Sequence, residues 1–412
     1  MKFSIYNYVV KNNEDFIIFN TVSGAVVCVD PSFLNNLKND TCPKEQSVVL
    51  YNMGILVDDN CNELERVLTK NKENIEKQDN KIYTICPTTC CNAKCFYCFE
   101  NNRKHFVMTK EIADATVNFI EQDVLNSNAK NICLSWFGGE PLLNQDIMGY
   151  ITNKILTNKK LTEKININAK ITTNGILIDN NVIENFKTWK IDTVQITLDG
   201  YGEEYEKRKA YVNEKNAFEK IIDIIQQLSN NRIYVSIRLN YDHNNFNSIL
   251  KLVDYLCQKF TEQQKQYIKV YPAKLEDNQA CSICNTNADI NYFKILTKLK
   301  NGNLAKSFKQ LNLKYRFAHC LAESEYNYVI GANGNLYKCN EKVDDETCKV
   351  GDVFTGVNIA IKNRELSGEC KECKFLPICQ GGCPIRANKS GSSSKCQLEK
   401  FIIADILRLY IN

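Results

Sequence analysis

Histidine is nearly missing from this sequence, with three residues in 412. That scarcity weighs against a zinc centre, which needs a fourth protein ligand from a histidine pair or a second Cys-x2-Cys. Long apolar runs are missing too. No stretch approaches the roughly 18 consecutive apolar residues that cross a bilayer. The N-terminus, Met1-Lys-Phe-Ser-Ile-Tyr, turns polar too soon for the core of a signal peptide. Nor does charge of one sign dominate. A balance of 52 Lys and Arg against 48 Asp and Glu leaves a net charge of +4, which argues against nucleic acid as the principal partner. No internal repeat is visible, and the one low-complexity tract, Lys389-Ser-Gly-Ser-Ser-Ser-Lys395, is short. The expectation is a cytoplasmic protein with neither membrane nor nucleic acid as partner.

Cysteine, in contrast, is abundant. There are 20, most of them clustered. In an intracellular setting structural disulfides are disfavoured, so such clusters point to metal ligation or catalysis.

A chain this long exceeds what one core usually holds. In the first 80 residues, β-rich runs at Ser4–Val10, Phe16–Asn20 and Ala25–Asp30 precede short helices from Pro31 and Cys42 and a charged helix from Glu63 to Lys77. The pattern resembles a small winged-helix-like module. From Lys81 a β-then-α rhythm sets in. Strands are expected at Ile82–Cys86, Ile132–Phe137, Ile167–Thr173, Thr193–Leu198, Ile233–Asn240 and Ile268–Ala273. Helices are expected between them, at Thr109–Asn126, Asn180–Trp189, Asn216–Ser229 and Phe246–Phe260. Six such units imply parallel strands with right-handed crossovers. The expected fold class is α/β, a partial (β/α)6 TIM-like barrel with chemistry at the C-terminal strand ends. Four segments follow from this reading: a recognition module at 1–80, the barrel at 81–275, a bridging region at 276–319, and a cysteine-rich domain at 320–412 that closes on a helix from Leu398 to Leu409.

The first barrel strand runs into Cys86-Pro-Thr-Thr-Cys-Cys-Asn-Ala-Lys-Cys-Phe-Tyr-Cys98. Within it, Cys91, Cys95 and Cys98 have the spacing Cys-x3-Cys-x2-Cys. Three thiolates on one tight loop can hold three corners of a cubane cluster and leave the fourth iron open. Cys86 and Cys90 read as bystanders. The second strand ends in Phe137-Gly-Gly-Glu140-Pro141, the third in Thr172-Thr-Asn-Gly175 and the fourth in Gln195-Ile-Thr-Leu-Asp-Gly200.

With Tyr97 before its last cysteine, this loop resembles the signature of the radical S-adenosylmethionine (SAM) superfamily, and the Gly-Gly-Glu segment resembles that superfamily's GGE motif. The third and fourth strand ends resemble motifs of its SPASM-containing subgroup. The resemblance implies a [4Fe-4S] cluster on Cys91, Cys95 and Cys98 that binds SAM and generates a 5′-deoxyadenosyl radical. It implies cofactor contacts at Tyr97, Gly138, Gly139, Glu140, Asn174 and Thr197, with Glu140 accepting from the SAM ammonium. Arg208 or Arg238 would pair with the SAM carboxylate. A general base is not identifiable.

Near the C-terminus come Cys320, then Cys339 in a Gly-x4-Cys, then Cys370, Cys373, Cys379, Cys383 and Cys396. Taken alone these suit either zinc or iron–sulfur ligation. Their order matches the seven-cysteine SPASM pattern, which implies two auxiliary [4Fe-4S] clusters and three in all. Cys370, Cys373, Cys379 and Cys396 would hold one, and Cys320, Cys339 and Cys383 the other. Cys348, Cys281 and Cys284 are candidates for its fourth ligand. Cys28, Cys42, Cys61, Cys133 and Cys257 stand alone and are expected to be buried.

By resemblance the chain is a SPASM-type peptide maturase. Its N-terminal module would dock the leader of a ribosomally made precursor peptide as an added strand, with Val9–Asn20 and Ala25–Asp30 forming the edge. The implied product is a thioether from a cysteine sulfur to another residue's carbon, with flavodoxin or ferredoxin as electron donor. The alternatives are carbon–carbon cross-linking and formylglycine formation by an anaerobic sulfatase-maturing enzyme. The sulfatase reading lacks its usual extra cysteine in Lys314-Tyr-Arg-Phe-Ala-His319.

Overall fold

The computed structural model describes residues 1–76, 79–98, 100, 104–275, 290–305, 320–359, 365–384 and 399–411. Strand β1 (Lys2–Phe3) pairs with β5 (Leu56–Val57), while β2 (Asn7–Asn12), β3 (Asp15–Asn20) and β4 (Val26–Val29) form an antiparallel sheet in the order β2-β3-β4. Alternation along β3 divides its side chains between two cores. Ile18 packs with Leu34, Leu37, Leu50 and Ile55 inside the module, whereas Ile17 and Phe19 join the main core of the chain. Because β3 is central, residues 15–20 are not an edge, contrary to the sequence reading. The helix Pro31–Lys38 starts where Pro31 forfeits an amide that would be unpaired anyway, and the Asp30 carboxylate accepts from the Phe33 N–H. A helix follows at Lys44–Asn52 and another at Glu63–Glu76.

All six expected barrel strands form. They are β6 (Asn80–Ile85), β7 (Asn131–Trp136), β8 (Asn166–Thr173), β9 (Ile191–Leu198), β10 (Tyr234–Tyr241) and β11 (Ile268–Lys274). They lie side by side in chain order, all parallel. Each ladder joins consecutive strands through a helical crossover, as a partial barrel requires. On one face, Val194, Ile196, Leu198, Val235, Ile237 and Leu239 are fully buried in the main core. The alternate positions carry Thr172, Gln195, Thr197, Arg238 and Tyr271, all half-buried. The polar face is therefore the concave one.

The sheet does not stop at β6. Strand β12 (Asn327–Ile330) pairs with it in parallel, and β13 (Asn335–Tyr337), β14 (Gly351–Asp352) and β15 (Gly356–Val357) continue antiparallel to make ten strands. The cysteine-rich segment thus begins as an extension of the barrel sheet. The closing helix, Glu399–Ile411, sinks Ile402, Ile403, Ile406 and Leu407 into the main core, and its Arg408 Nε donates to the Lys11 carbonyl on β2. In the bridging region, a helix forms at Ile290–Asn301.

Candidate active site at the strand ends

Immediately after β6 the chain enters the cysteine loop, and the neighbouring strand ends close on it. Gly139 N–H donates to the Thr88 carbonyl (3.1 Å) and Glu140 N–H to the Cys90 carbonyl (2.8 Å). Both glycines are required by this approach. A Cβ on Gly138 would stand 2.3 Å from the Thr88 oxygen, and one on Gly139 would stand 2.3 Å from the Cys90 oxygen. Gly138 also has φ of +130°, which other residues rarely adopt. The glycine pair therefore presses on the cysteine loop itself.

Glu140 lies deepest in this approach. It is wholly buried, and its carboxylate accepts from Thr173 Oγ1 (2.7 Å), Leu142 N–H (3.1 Å) and Asn174 N–H (2.8 Å). Burial pushes this carboxyl up, against the pull of those three donors. Its observed work is to brace the glycine turn to the end of β8. Three donors on two carboxylate oxygens leave acceptor capacity for an ammonium ligand, the expected role.

Asn174 reaches the loop from β8. Its Nδ2 donates to Asn92 Oδ1 at 2.7 Å and lies 3.9 Å from Cys91 Sγ. The far side of the loop is held by the segment after the helix Glu203–Lys209. Lys94 N–H donates to the Lys209 carbonyl (3.0 Å) and the Ala210 carbonyl (3.2 Å), and Val212 N–H to the Asn92 carbonyl (2.9 Å). Cys95 Sγ lies 3.9 Å from the Lys209 carbonyl. Tyr97 OH donates to Asp199 Oδ2 (2.9 Å), at the end of β9, and accepts from Lys209 Nζ (3.2 Å). Sequence reasoning missed Lys209, because a lysine among charged helix residues reads as a solvated face.

Arg208 is already committed. Its guanidinium is bidentate to Asp242 (2.9 and 3.0 Å) and its Nε donates to Glu204 (2.6 Å), with the side chain 6% exposed. These contacts clamp the helix Glu203–Lys209 to the segment that follows β10. Arg238 differs, since its Nε donates to Asn240 Oδ1 (2.9 Å) and no ion pair to it is found among the described residues. Beside it on the concave face stand Thr197, in register with it, and Tyr271, whose hydroxyl donates to Gln195 (3.1 Å).

The cysteine sets follow the same pattern. Burial pushes the Cys91 thiol up to about 12, and the charges of Cys95 and Cys98 add to the rise. Burial likewise raises Cys339 to about 11, with Cys320 and Cys383 contributing, so those three also stand near one another. Cys370 and Cys373 lie one turn apart, Cys373 N–H donating to the Cys370 carbonyl (3.2 Å), and Cys379 ends the next helix, Leu376–Cys379. Cys396, Cys281, Cys284 and His319 lie outside the described residues. Cys86 is buried against Val329 and Tyr337 as an apolar side chain, and Cys90 Sγ lies 3.8 Å from His105 Nδ1. Cys28, expected to be buried, is exposed on β4, and Cys42, Cys61, Cys133 and Cys257 are half-buried.

Among the described residues no three His, Cys, Asp or Glu side chains converge tightly enough for one metal ion. A cubane asks for a wider arrangement, because each thiolate binds its own iron at a separate corner. Three thiols on one braced loop suit that donor set. Asp199 Oδ1 is buried without a partner, an acceptor that a ligand carrying an ammonium and ribose hydroxyls could satisfy.

Residues 85–256 match the family model of the Radical SAM superfamily. The cysteine-type anaerobic sulfatase-maturating enzyme of Clostridium novyi is 26% identical over 346 residues, which span 73% of this chain and 86% of that enzyme. In fold, the chain resembles anSMEcpe with bound AdoMet and Cp18Cys peptide at a TM-score of 0.61 and 20% identity, covering 80% of this chain and 98% of that one. Streptococcus suis SuiB bound to precursor peptide SuiA gives 0.54 at 16% identity and covers 96% of this chain and 99% of that one. Residues 85–256 are a radical SAM domain, and the chain that carries them is an enzyme.

Proposed function

We propose that the chain modifies a ribosomally made precursor peptide, joining a cysteine sulfur to a carbon of another residue. In this reading Cys91, Cys95 and Cys98 hold the SAM-binding [4Fe-4S] cluster. Such a cluster, once reduced, supplies the electron that cleaves SAM to the radical that removes a hydrogen atom from substrate. The glycine pair, Asn174 and the Tyr97–Asp199 contact fix the loop. Thr197 and Arg238 offer a hydroxyl and a cation to a ligand on the concave face. Cys320, Cys339 and Cys383, and separately Cys370, Cys373, Cys379 and Cys396, would hold auxiliary clusters. Clusters held there would supply an acceptor for the second electron of a two-electron oxidation.

The observation that carries the peptide reading is where the N-terminal module sits. The Tyr8 ring packs on Phe375 at 4.9 Å, Thr21 Oγ1 donates to the Lys374 carbonyl (2.5 Å), and Asn71 Nδ2 donates to Gln380 Oε1 (2.7 Å). Tyr6 and Val67 share a core cluster with Leu376. The module is thus seated on the cysteine-rich segment. Its β2 edge is partly covered by Phe375 and Arg408, while β4 pairs only with β3 among the described residues. That leaves Val26–Val29, without proline or charge, as an edge to which an extended leader peptide could add. The likeness to SuiB extends over 96% of the chain, module included.

Formylglycine formation is the second reading, favoured by the 26% identity to the C. novyi enzyme. The two separate by mass spectrometry. A cysteine-containing small peptide encoded beside the gene is co-expressed anaerobically, reduced and alkylated. Loss of two hydrogens with one fewer alkylatable thiol supports the thioether. Exchange of a cysteine sulfur for oxygen with loss of two hydrogens supports formylglycine. Loss of two hydrogens with every thiol intact contradicts both and points to carbon–carbon bonding.

A further inference from the structure

Behind the cysteine loop lies an ion pair whose lysine has no part in the reading above. Lys209 Nζ stands 3.0 Å from Asp199 Oδ2, with side-chain exposures of 5% and 0%. Both groups meet Tyr97 OH, and the Lys209 carbonyl lies 3.9 Å from Cys95 Sγ. A buried ion pair is a poor stabiliser, since apolar side chains of similar volume do as well or better. Its retention beside Cys95 therefore calls for another reason. Held between the Asp199 carboxylate and Tyr97 OH, the ammonium is a fixed cation on the side of the loop that carries Cys95.

We infer that the Lys209–Asp199 pair sets the reduction potential of the cluster held by Cys91, Cys95 and Cys98, the lysine favouring the reduced form and the aspartate opposing it. The inference rests on the radical SAM reading of that loop. Reduction adds one electron, supplied by an external donor, and so one negative charge to the cluster. A cation held nearby at low dielectric stabilises the added charge, and an anion destabilises it. Lys209 acts through Cys95 and Tyr97 as a positioning residue and touches no substrate.

The test is an EPR-monitored titration with dithionite on the full chain reconstituted anaerobically with iron and sulfide. The signal followed is the one that SAM addition perturbs, which separates this cluster from any auxiliary one. Lys209→Met should lower the midpoint, Asp199→Asn should raise it, and Lys209→Arg should restore it to near the wild-type value. The double variant K209M/D199N leaves no unpaired buried charge. It should fold even if the single variants do not, with a midpoint between theirs. Midpoints unmoved at wild-type iron content overturn the inference. So does a Lys209→Met chain that loses SAM binding with its midpoint unchanged, because the lysine would then be a SAM ligand. A wild-type chain with no SAM-responsive signal would instead overturn the radical SAM reading itself, before any variant is compared.

Discussion

Any side chain at position 139 would put its Cβ 2.3 Å from the Cys90 carbonyl oxygen, so Gly139 and Cys90 fix how closely the second strand end approaches the cysteine loop. Gly139→Ala must push the loop away from β7. The overpacking should cost about 1–3 kcal/mol, and a loop displaced by a fraction of an ångström should lower SAM cleavage by about a hundredfold. Denaturant melts and 5′-deoxyadenosine release measure the two effects. Wild-type cleavage in Gly139→Ala would contradict the close approach.

Glu140 offers a test of brace against ligand. Glu140→Gln keeps the shape but turns an amide N–H2 toward donors that now meet an oxygen. Each buried donor left without an acceptor should cost about 1–3 kcal/mol. Stability should fall more than SAM affinity does. If SAM affinity collapses while the melting temperature holds, Glu140 contacts the ammonium after all.

The Arg208–Asp242 clamp should show in the acid range. Burial pushes the Asp242 carboxyl up, but the Arg208 guanidinium and the Asn245 and Asn244 N–H groups outweigh it and hold it below the ordinary carboxylate range. A carboxyl lowered on folding contributes stability that is complete above its unfolded pKa, about 4, and is lost as pH falls through the folded value. Asp242→Asn should therefore lose about 3 kcal/mol at pH 7 and show a flatter decline in stability below pH 4 than wild type. Parallel acid profiles for the two chains would contradict the clamp.

The seat of the N-terminal module predicts coupling at a distance. Val67 and Leu376 are both buried in the cluster that joins the module to the cysteine-rich segment. Val67→Asp leaves an unpaired charge there, a loss of about 3 kcal/mol or more. It should also reduce iron bound per chain, because the helix Leu376–Cys379 carries a candidate ligand. Full iron content in Val67→Asp would mean that the module and the cysteine segment are independent.

Much of this was legible in the sequence because period and punctuation agreed. The six barrel strands came from runs such as Thr193–Leu198, and the motifs fell at their ends because Gly138, Gly175 and Gly200 mark the turns where strands stop. Contacts that join distant segments were not legible. Parallel pairing of Asn327–Ile330 with β6 depends on which strand edge is open, and a short run of mixed polarity does not announce that. The helices Gln145–Thr157 and Glu203–Lys209 went unread because one follows a proline-led turn and the other has six charges in seven residues. Arg208 and Lys209 are adjacent in that helix, yet one clamps Asp242 and the other pairs with Asp199. Only the tertiary structure separates neighbours so alike in sequence.

The most direct test of the account is SAM cleavage by the full chain, reconstituted anaerobically and reduced with dithionite. Wild type should release 5′-deoxyadenosine, and the variant with Cys91, Cys95 and Cys98 all replaced by alanine should release none while keeping its fold by circular dichroism. Cleavage that survives in that variant, or its absence from an iron-loaded wild-type chain, would contradict the assignment of those three cysteines.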